Sequence, residues 1–266
     1  MKKVIGKLIC SFFLLAVLMP ASSVLAEDSI KVGIVDCYSG PPSTYTTDVR
    51  DAFIQEVKEV NSQGGVLGKK IEYTTRDSKF EVSTGLSAAK ELIMRKKVDI
   101  LMGTINSALA LAISDLVKEE KIPFLVTFAK SEKITGSKGH RYVFGMNENT
   151  RMAGNAAAAA LADMPFKEYW IAGDDYEYGH AIAENTWNGL KEKKPEVELL
   201  GESWWKVGEP DFTPYITSIL SNQPDAAIIA TGGASCVPFL KAAQSTGFAQ
   251  KMPFYMHTAT ELATLK

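Results

Sequence analysis

From residue 31 onward, short apolar runs rich in β-branched residues alternate with longer stretches whose apolar positions recur every three or four residues. Residues 31–35, 71–75, 98–102 and 123–127 read as strands. Between them, residues 48–60, 85–95 and 108–120 have helical spacing, as in Val49, Phe53, Val57 and Val60. Strands alternating with amphipathic helices predict βαβ units and a parallel sheet covered on both faces. Residues 142–147 are extended, and then the alternation restarts. Helices are predicted over 152–163, 181–192, 212–221 and 237–245, with strands over 169–172, 197–203, 226–230 and 254–256. The restart predicts two similar lobes, 27–145 and 146–266, joined by a short ordered hinge, because no Gly-, Pro- or Ser-rich linker separates them.

In open parallel sheets, ligands bind beyond the carboxyl ends of the strands. Those loops here are 36–45, 77–82, 103–107, 128–131, 174–179 and 232–236. Tyr38, Tyr45, Tyr176 and Tyr178 supply aromatic faces, Ser39, Thr104, Ser107 and Ser131 supply hydroxyls, and Lys130 supplies a cation. This set lacks a reactive constellation and suits binding better than catalysis.

The first 26 residues break the alternation. Lys2, Lys3 and Lys7 precede an apolar run over 8–18, and small residues lead to Ala26. That is the layout of a secretory signal peptide cut near Ala26, too short in its apolar part to span a bilayer. Ile9 before Cys10, with the apolar run continuing past it, argues against lipid attachment there. Removing the three lysines leaves 26 basic against 31 acidic residues, a net charge near −5. Such a surface argues against nucleic acid or an anionic membrane as partner. Cys37 and Cys236 remain, 199 positions apart, and form no disulfide framework. Each follows a strand of a different lobe, so both are expected as unbridged thiols bordering a cleft.

Several chemical motifs fail. Asp36-Cys37-Tyr38-Ser39-Gly40 stands where a dinucleotide-binding glycine loop would follow the first strand. In Gly64-Gly65-Val66-Leu67-Gly68-Lys69, Gln63 and Lys70 replace residues that a phosphate loop requires, leaving a helix C-cap and turn. Gly233-Ala234-Ser235-Cys236-Val237 lacks the final glycine of a nucleophile elbow. His140, His180 and His257 have no partner at metal-ligand spacing. Asp174 and Asp175 diverge as adjacent residues, which favours a turn or cap over paired acid–base work. No catalytic residue, metal or cofactor is expected.

An ordered set of segments carries a resemblance. It begins with Ile30-Lys31-Val32-Gly33-Ile34, Ser39-Gly40-Pro41 and Tyr45, and continues with the segment 61–68 and Thr75-Arg76-Asp77. Met102-Gly103 then leads to Ser107, followed by the segments 174–179 and 208–212. From about residue 29 to its last residue the chain resembles the branched-chain amino-acid type of periplasmic solute-binding protein. The resemblance implies an α/β type I fold: two Rossmann-like lobes, parallel sheets flanked by helices, and a ligand cleft that closes about a hinge. It implies a small-molecule ligand, an ABC permease of the inner membrane as partner, a monomer, and a periplasmic or other extracytoplasmic location. Ser107 falls where the family holds a ligand carboxylate at a helix start, a position rich in unpaired N–H donors; it is also a candidate N-cap. Tyr178 falls on a cleft tyrosine and Tyr45 on an aromatic at the cleft entrance. Tyr38 adds aromatic surface.

Two positions depart from the pattern. Thr258, between His257 and Ala259, stands where amino-acid binders place a carboxylate for the ligand ammonium, and Glu261 is the nearest acid. Lys130 occupies a position that is often small or hydroxylated, either facing the cleft or solvated at its rim. Both changes predict a more cationic cleft and a small organic or aromatic carboxylate in place of leucine, isoleucine or valine. Lys266 falls inside the second lobe of the pattern, so a truncated frame or a fragment is expected. A ligand-sensing receptor module of the same fold is an alternative, and an enzyme on a Rossmann-like fold a more distant one. A repressor would need a DNA-binding helix-turn-helix where the signal peptide stands.

Overall fold

The computed structural model describes residues 29–40 and 42–260, so the expected signal peptide and Glu261 lie outside the described residues. The first lobe runs β1 (Ile30–Asp36), α1 (Ser43–Ser62), β2 (Ile71–Asp77), α2 (Val82–Met94), β3 (Ile100–Gly103), α3 (Ser107–Glu120), β4 (Phe124–Val126) and β5 (Val143–Gly145). Its strands pair in parallel in the order β2-β1-β3-β4-β5. The second lobe runs α4 (Thr150–Ala162), β6 (Glu168–Asp174), α5 (Glu177–Lys193), β7 (Glu198–Trp205), α6 (Thr213–Asn222), β8 (Ala226–Ala230), α7 (Gly233–Ser245), α8 (Phe248–Lys251) and β9 (Phe254–Met256). Its parallel sheet is ordered β7-β6-β8-β9, the same winding repeated. In both, the chain reverses direction across the sheet at the first strand, which opens a crevice beyond its carboxyl end.

Both faces of the inner strands are buried, which is why they read as nearly continuous apolar runs. Along β6, Tyr169 and Ile171 enter one core while Trp170 and Ala172 enter the other. Along β8, Ala226, Ile228 and Ala230 share the first face, and Ala227 and Ile229 the second. The side-chain period of two therefore serves two cores at once. In the first lobe, Val35, Leu101 and Phe124 pack under α2 and α3, while Val32, Ile34 and Met102 meet α1. Each fully buried Leu, Ile or Phe contributes about 1.5–3 kcal/mol of transfer free energy.

Three helices begin four or five residues earlier than their apolar spacing indicates. Helix α1 starts at Ser43, although 43–47 is polar, because the Thr46 hydroxyl donates to the Cys37 carbonyl and Ser43 Oγ to the Gly40 carbonyl (2.7 Å). Helices α5 and α7 start at Glu177 and Gly233, absorbing parts of two segments expected as loops. Helix α8 was not expected from the periodicity; it is one turn that buries Phe248. The glycine-rich segment after α1 is a tight turn in which Val66 pairs with Lys69. Gly65 has φ +80, and a Cβ there would strike the Lys69 carbonyl, so only glycine fits.

Candidate functional site

A buried aspartate ends the first strand of each lobe. Asp36 closes β1, and its Oδ1 accepts from the N–H groups of Cys37 (2.9 Å) and Ile105 (2.8 Å) and from the Thr104 hydroxyl (3.4 Å). Burial lifts its pKa from 3.8 to about 6, against the pull of those donors. The loop after β3 is thereby pinned to the end of β1. Asp174 closes β6 and pins the loop after β8. Its Oδ1 accepts from Trp205 Nε1 (2.9 Å) and the Ser235 hydroxyl (2.5 Å), and its Oδ2 from the Thr231 hydroxyl and the Gly232 N–H (both 2.7 Å). Burial raises this carboxyl as well, again opposed by its donors.

Between the pinned loops lies a cavity of about 40 Å³. The first lobe walls it with Tyr45, Ile105, Phe128 and Lys130, the second with Tyr176, Tyr178, Gly232, Gly233 and Thr258. Tyr45 meets Phe128 edge-on at 5.6 Å and crosses to the other lobe, where a Cβ on Gly233 would collide with its ring. Tyr176 stands 6.1 Å from Tyr178 and meets Phe80 of the first lobe at 5.6 Å. Thr258 is buried, with its hydroxyl donating to the Thr231 carbonyl (3.1 Å). Beside the aromatic wall, Glu177 receives the Ser131 hydroxyl (2.7 Å) and lies 3.1 Å from Lys133 Nζ, joining the lobes by a charged contact.

Of the residues singled out in the sequence, the fold brings Tyr45, Tyr178, Lys130 and Thr258 to this cavity. Ser107 and Tyr38 do not line it. Ser107 is fully buried as the first residue of α3, with its Oγ accepting the Ser131 N–H (3.3 Å). The cap of that helix is Asn106, whose Oδ1 accepts the Leu109 N–H (3.1 Å), which corrects the N-cap reading of Ser107. The Tyr38 ring lies under the Arg50 guanidinium (5.1 Å) and its N–H donates to Asp77 (2.9 Å).

Lys130 requires a correction too. Its Nζ sits 2.8 Å from a Glu148 carboxylate oxygen and 5.2 Å from the Phe128 ring centre, and the side chain is 11% exposed. Partial burial pushes the Glu148 carboxyl up, but the Lys130 hydrogen bond and charge bring it below its ordinary value. The cleft therefore holds an ion pair where the sequence predicted an excess of positive charge. Nothing near Glu148 in sequence marks it as the partner of a lysine eighteen positions away.

The cysteines do not border the cleft. Cys37 and Cys236 are both fully buried; Cys37 Sγ donates to the Ser39 carbonyl (3.0 Å) and Cys236 Sγ lies 3.3 Å from Met256 Sδ. The inward face of α7 carries Cys236 into the aromatic core of the second lobe. Asp174 and Asp175 do diverge, the first into its buried network and the second outward to His180 (2.8 Å). Among the described residues, no group of three or more His, Cys, Asp or Glu is placed to hold a metal. No helix among them is long and apolar enough to cross a membrane.

Two α/β lobes of the same winding, with a cavity walled by the strand-end loops of both, define a two-lobe binding architecture. The sequence profile described as periplasmic binding protein matches residues 29–266, and the chain belongs to that family. The family is one of extracytoplasmic binding proteins. The Leu/Ile/Val-binding protein BraC3 of Rhizobium johnstonii is 24% identical over 201 residues, covering 76% of this chain and 54% of that protein. A periplasmic binding protein of Burkholderia mallei superposes with a TM-score of 0.78 at 24% identity, over 86% of this chain and 60% of that one. A solute binding protein of an ABC transporter from Rhodopseudomonas palustris BisB5, in complex with 3,4-dihydroxybenzoic acid, gives 0.75 at 22% identity, over 85% and 60%. The chain thus spans between half and two thirds of the length of these proteins.

Proposed function

We propose that this chain is the extracytoplasmic solute-binding component of an ABC importer. It captures a small molecule by closure of lobes 27–145 and 146–266 about their hinge, and delivers it to an inner-membrane permease. The observation that carries this reading is the cavity between the pinned loops, with walls drawn from both lobes. A site split in this way is complete only when the lobes meet, so binding energy is available to drive closure. Residues 1–26 serve as the leader, cut near Ala26, and the mature chain acts as a monomer.

The solute is a small amino acid or organic carboxylate, with an aromatic or aliphatic acid preferred over leucine, isoleucine or valine. Four aromatic side chains offer flat apolar surface, and Lys130 can share its charge between Glu148 and an incoming carboxylate. The Rhodopseudomonas protein, in complex with a dihydroxybenzoic acid, supports that choice, whereas the name of the Rhizobium relative supports the branched-chain amino acids. A cavity of 40 Å³ is smaller than the ~150 Å³ that accommodates benzene in an engineered core. An aromatic acid therefore enters with the lobes parted or with Tyr45 swung aside.

Calorimetry and thermal unfolding of the full chain against benzoate, 4-hydroxybenzoate, short aliphatic acids and the branched-chain amino acids test the reading. A bound solute at 100-fold its Kd stabilises the fold by about 2.7 kcal/mol. Saturable binding of leucine with no response to any acid would overturn the ligand preference, and no response to any small solute would overturn the function.

A further inference from the structure

We propose that Glu177 is a positioning residue that sets how the two lobes align and how often they are closed, acting as a latch across the seam without touching the solute. The inference rests on the reading that the lobes open and close around a solute.

Among the described residues, and apart from the connecting segment where Lys130 and Glu132 meet Glu148 and Thr150, three contacts cross the seam beside the cavity. Two are aromatic: Tyr45 against the backbone of Gly233, and Phe80 against Tyr176. Such contacts favour closure but tolerate sliding, because apolar burial is non-directional. The third is directional. Glu177, the first residue of α5, accepts the Ser131 hydroxyl on Oε1 (2.7 Å) and meets Lys133 Nζ with Oε1 (3.1 Å) and Oε2 (3.3 Å). Both oxygens of one carboxylate are thus engaged by the loop after β4 in the other lobe, which fixes register as well as distance. The hydrogen bond and charge of Glu177 hold the Lys133 amine above its ordinary value.

The latch is wired to the cavity on both sides. Glu177 lies between Tyr176 and Tyr178, so engaging it presents both rings to the cavity. On the other side, the Ser131 N–H donates to Ser107, tying the loop to the start of α3. With side-chain exposures of 20% for Glu177 and 39% for Lys133, the pair is partly screened yet sheltered enough to exceed an ordinary surface pair. Losing the charged contact should lower the closed-to-open ratio by roughly tenfold, the size of a hydrogen bond to a charged group.

The test reads lobe separation by electron–electron double resonance with no solute added. Spin labels go on Lys90→Cys in α2 and Ser221→Cys in α6 of the chain carrying Cys10→Ser, the native Cys37 and Cys236 being fully buried. The parent should show a closed population that falls by roughly tenfold in Glu177→Gln and in Lys133→Met. The swapped double variant Glu177→Lys with Lys133→Glu should recover most of it. Unchanged distances in Glu177→Gln, a parent lacking a closed population, or a swap no better than its single changes would each overturn the latch. Because no solute is present, failure to find a ligand leaves this readout intact, and failure of the latch leaves the ligand reading intact.

Discussion

Asp36 and Asp174 occupy the same place in the two lobes, the last residue of the first strand, and each ties down the loop that follows the third strand of its sheet. Their wiring differs. The donors around Asp36 among the described residues converge on one oxygen, Oδ1. Those around Asp174 are split two and two over both oxygens. An amide side chain offers one acceptor oxygen and one donor nitrogen. It can therefore stand in for Asp36 with its bonds kept, but at Asp174 its NH2 group must face an N–H that cannot accept, that of Trp205 or of Gly232, beside a hydroxyl that can turn to accept. Equivalent positions in a repeated fold need not carry equivalent chemistry: the first lobe uses one oxygen of its carboxyl where the second uses both.

Asp174→Asn should have the largest effect, a loss of about 3 kcal/mol, from hydrogen bonds to the carboxyl weakened and one buried N–H donor stranded. Urea unfolding measures it, and a loss under ~1 kcal/mol would break the comparison. Asp36→Asn should do the opposite. A carboxyl whose folded pKa is about 6 against 3.8 unfolded holds its proton more tightly in the native state. Its contribution to stability is fully present below pH ~4 and is lost as pH rises through ~6, on the order of 2–3 kcal/mol in all. Asp36→Asn should flatten that slope and leave the protein as stable as the parent, or more so, at pH 7. A variant that retains the pH 4–6 slope would assign it to another group.

Gly233→Val comes next. Its side chain would occupy the space of the Tyr45 ring, hold the lobes apart and weaken solute binding by about tenfold, the size of a modest packing clash. Adding Tyr45→Ala should restore closure, which distinguishes a seam clash from a folding defect in α7. Smaller again is Glu148→Gln, which removes the competitor for Lys130 and should tighten binding of a carboxylate by about threefold, while Lys130→Met weakens it. Calorimetry on both variants measures how far Glu148 of the second lobe competes with a carboxylate for Lys130 of the first. The smallest effect is expected for Ser107→Ala, below ~1 kcal/mol in stability with solute Kd nearly unchanged, because its hydroxyl serves Ser131. A large loss of affinity there would return Ser107 to the site.

The alternation of apolar runs was enough to read two parallel α/β halves and the loops where a site would lie. Each strand or helix buries its own face, and that requirement is written locally in periods of two and of 3.6. Tyr45, Tyr178 and Lys130 were visible for the same reason, as side chains near the carboxyl ends of strands, and Thr258 through the family resemblance. The pairing of side chains was not visible. Asp36 meets Ile105, Asp174 meets Ser235, and Glu177 meets Ser131, at separations of 69, 61 and 46 residues. A carboxylate at a strand end looks the same in sequence whether it caps a turn, anchors a loop or bridges two lobes. Which of these it does depends on the donors that the sheet order and lobe packing bring within 3 Å. Local pattern thus determined the architecture of this protein, and only the tertiary structure decided that Ser107 and Tyr38 stand back from the cavity, that Glu148 balances Lys130, and that Glu177 spans the seam, because those outcomes depend on contacts between elements and on no element alone.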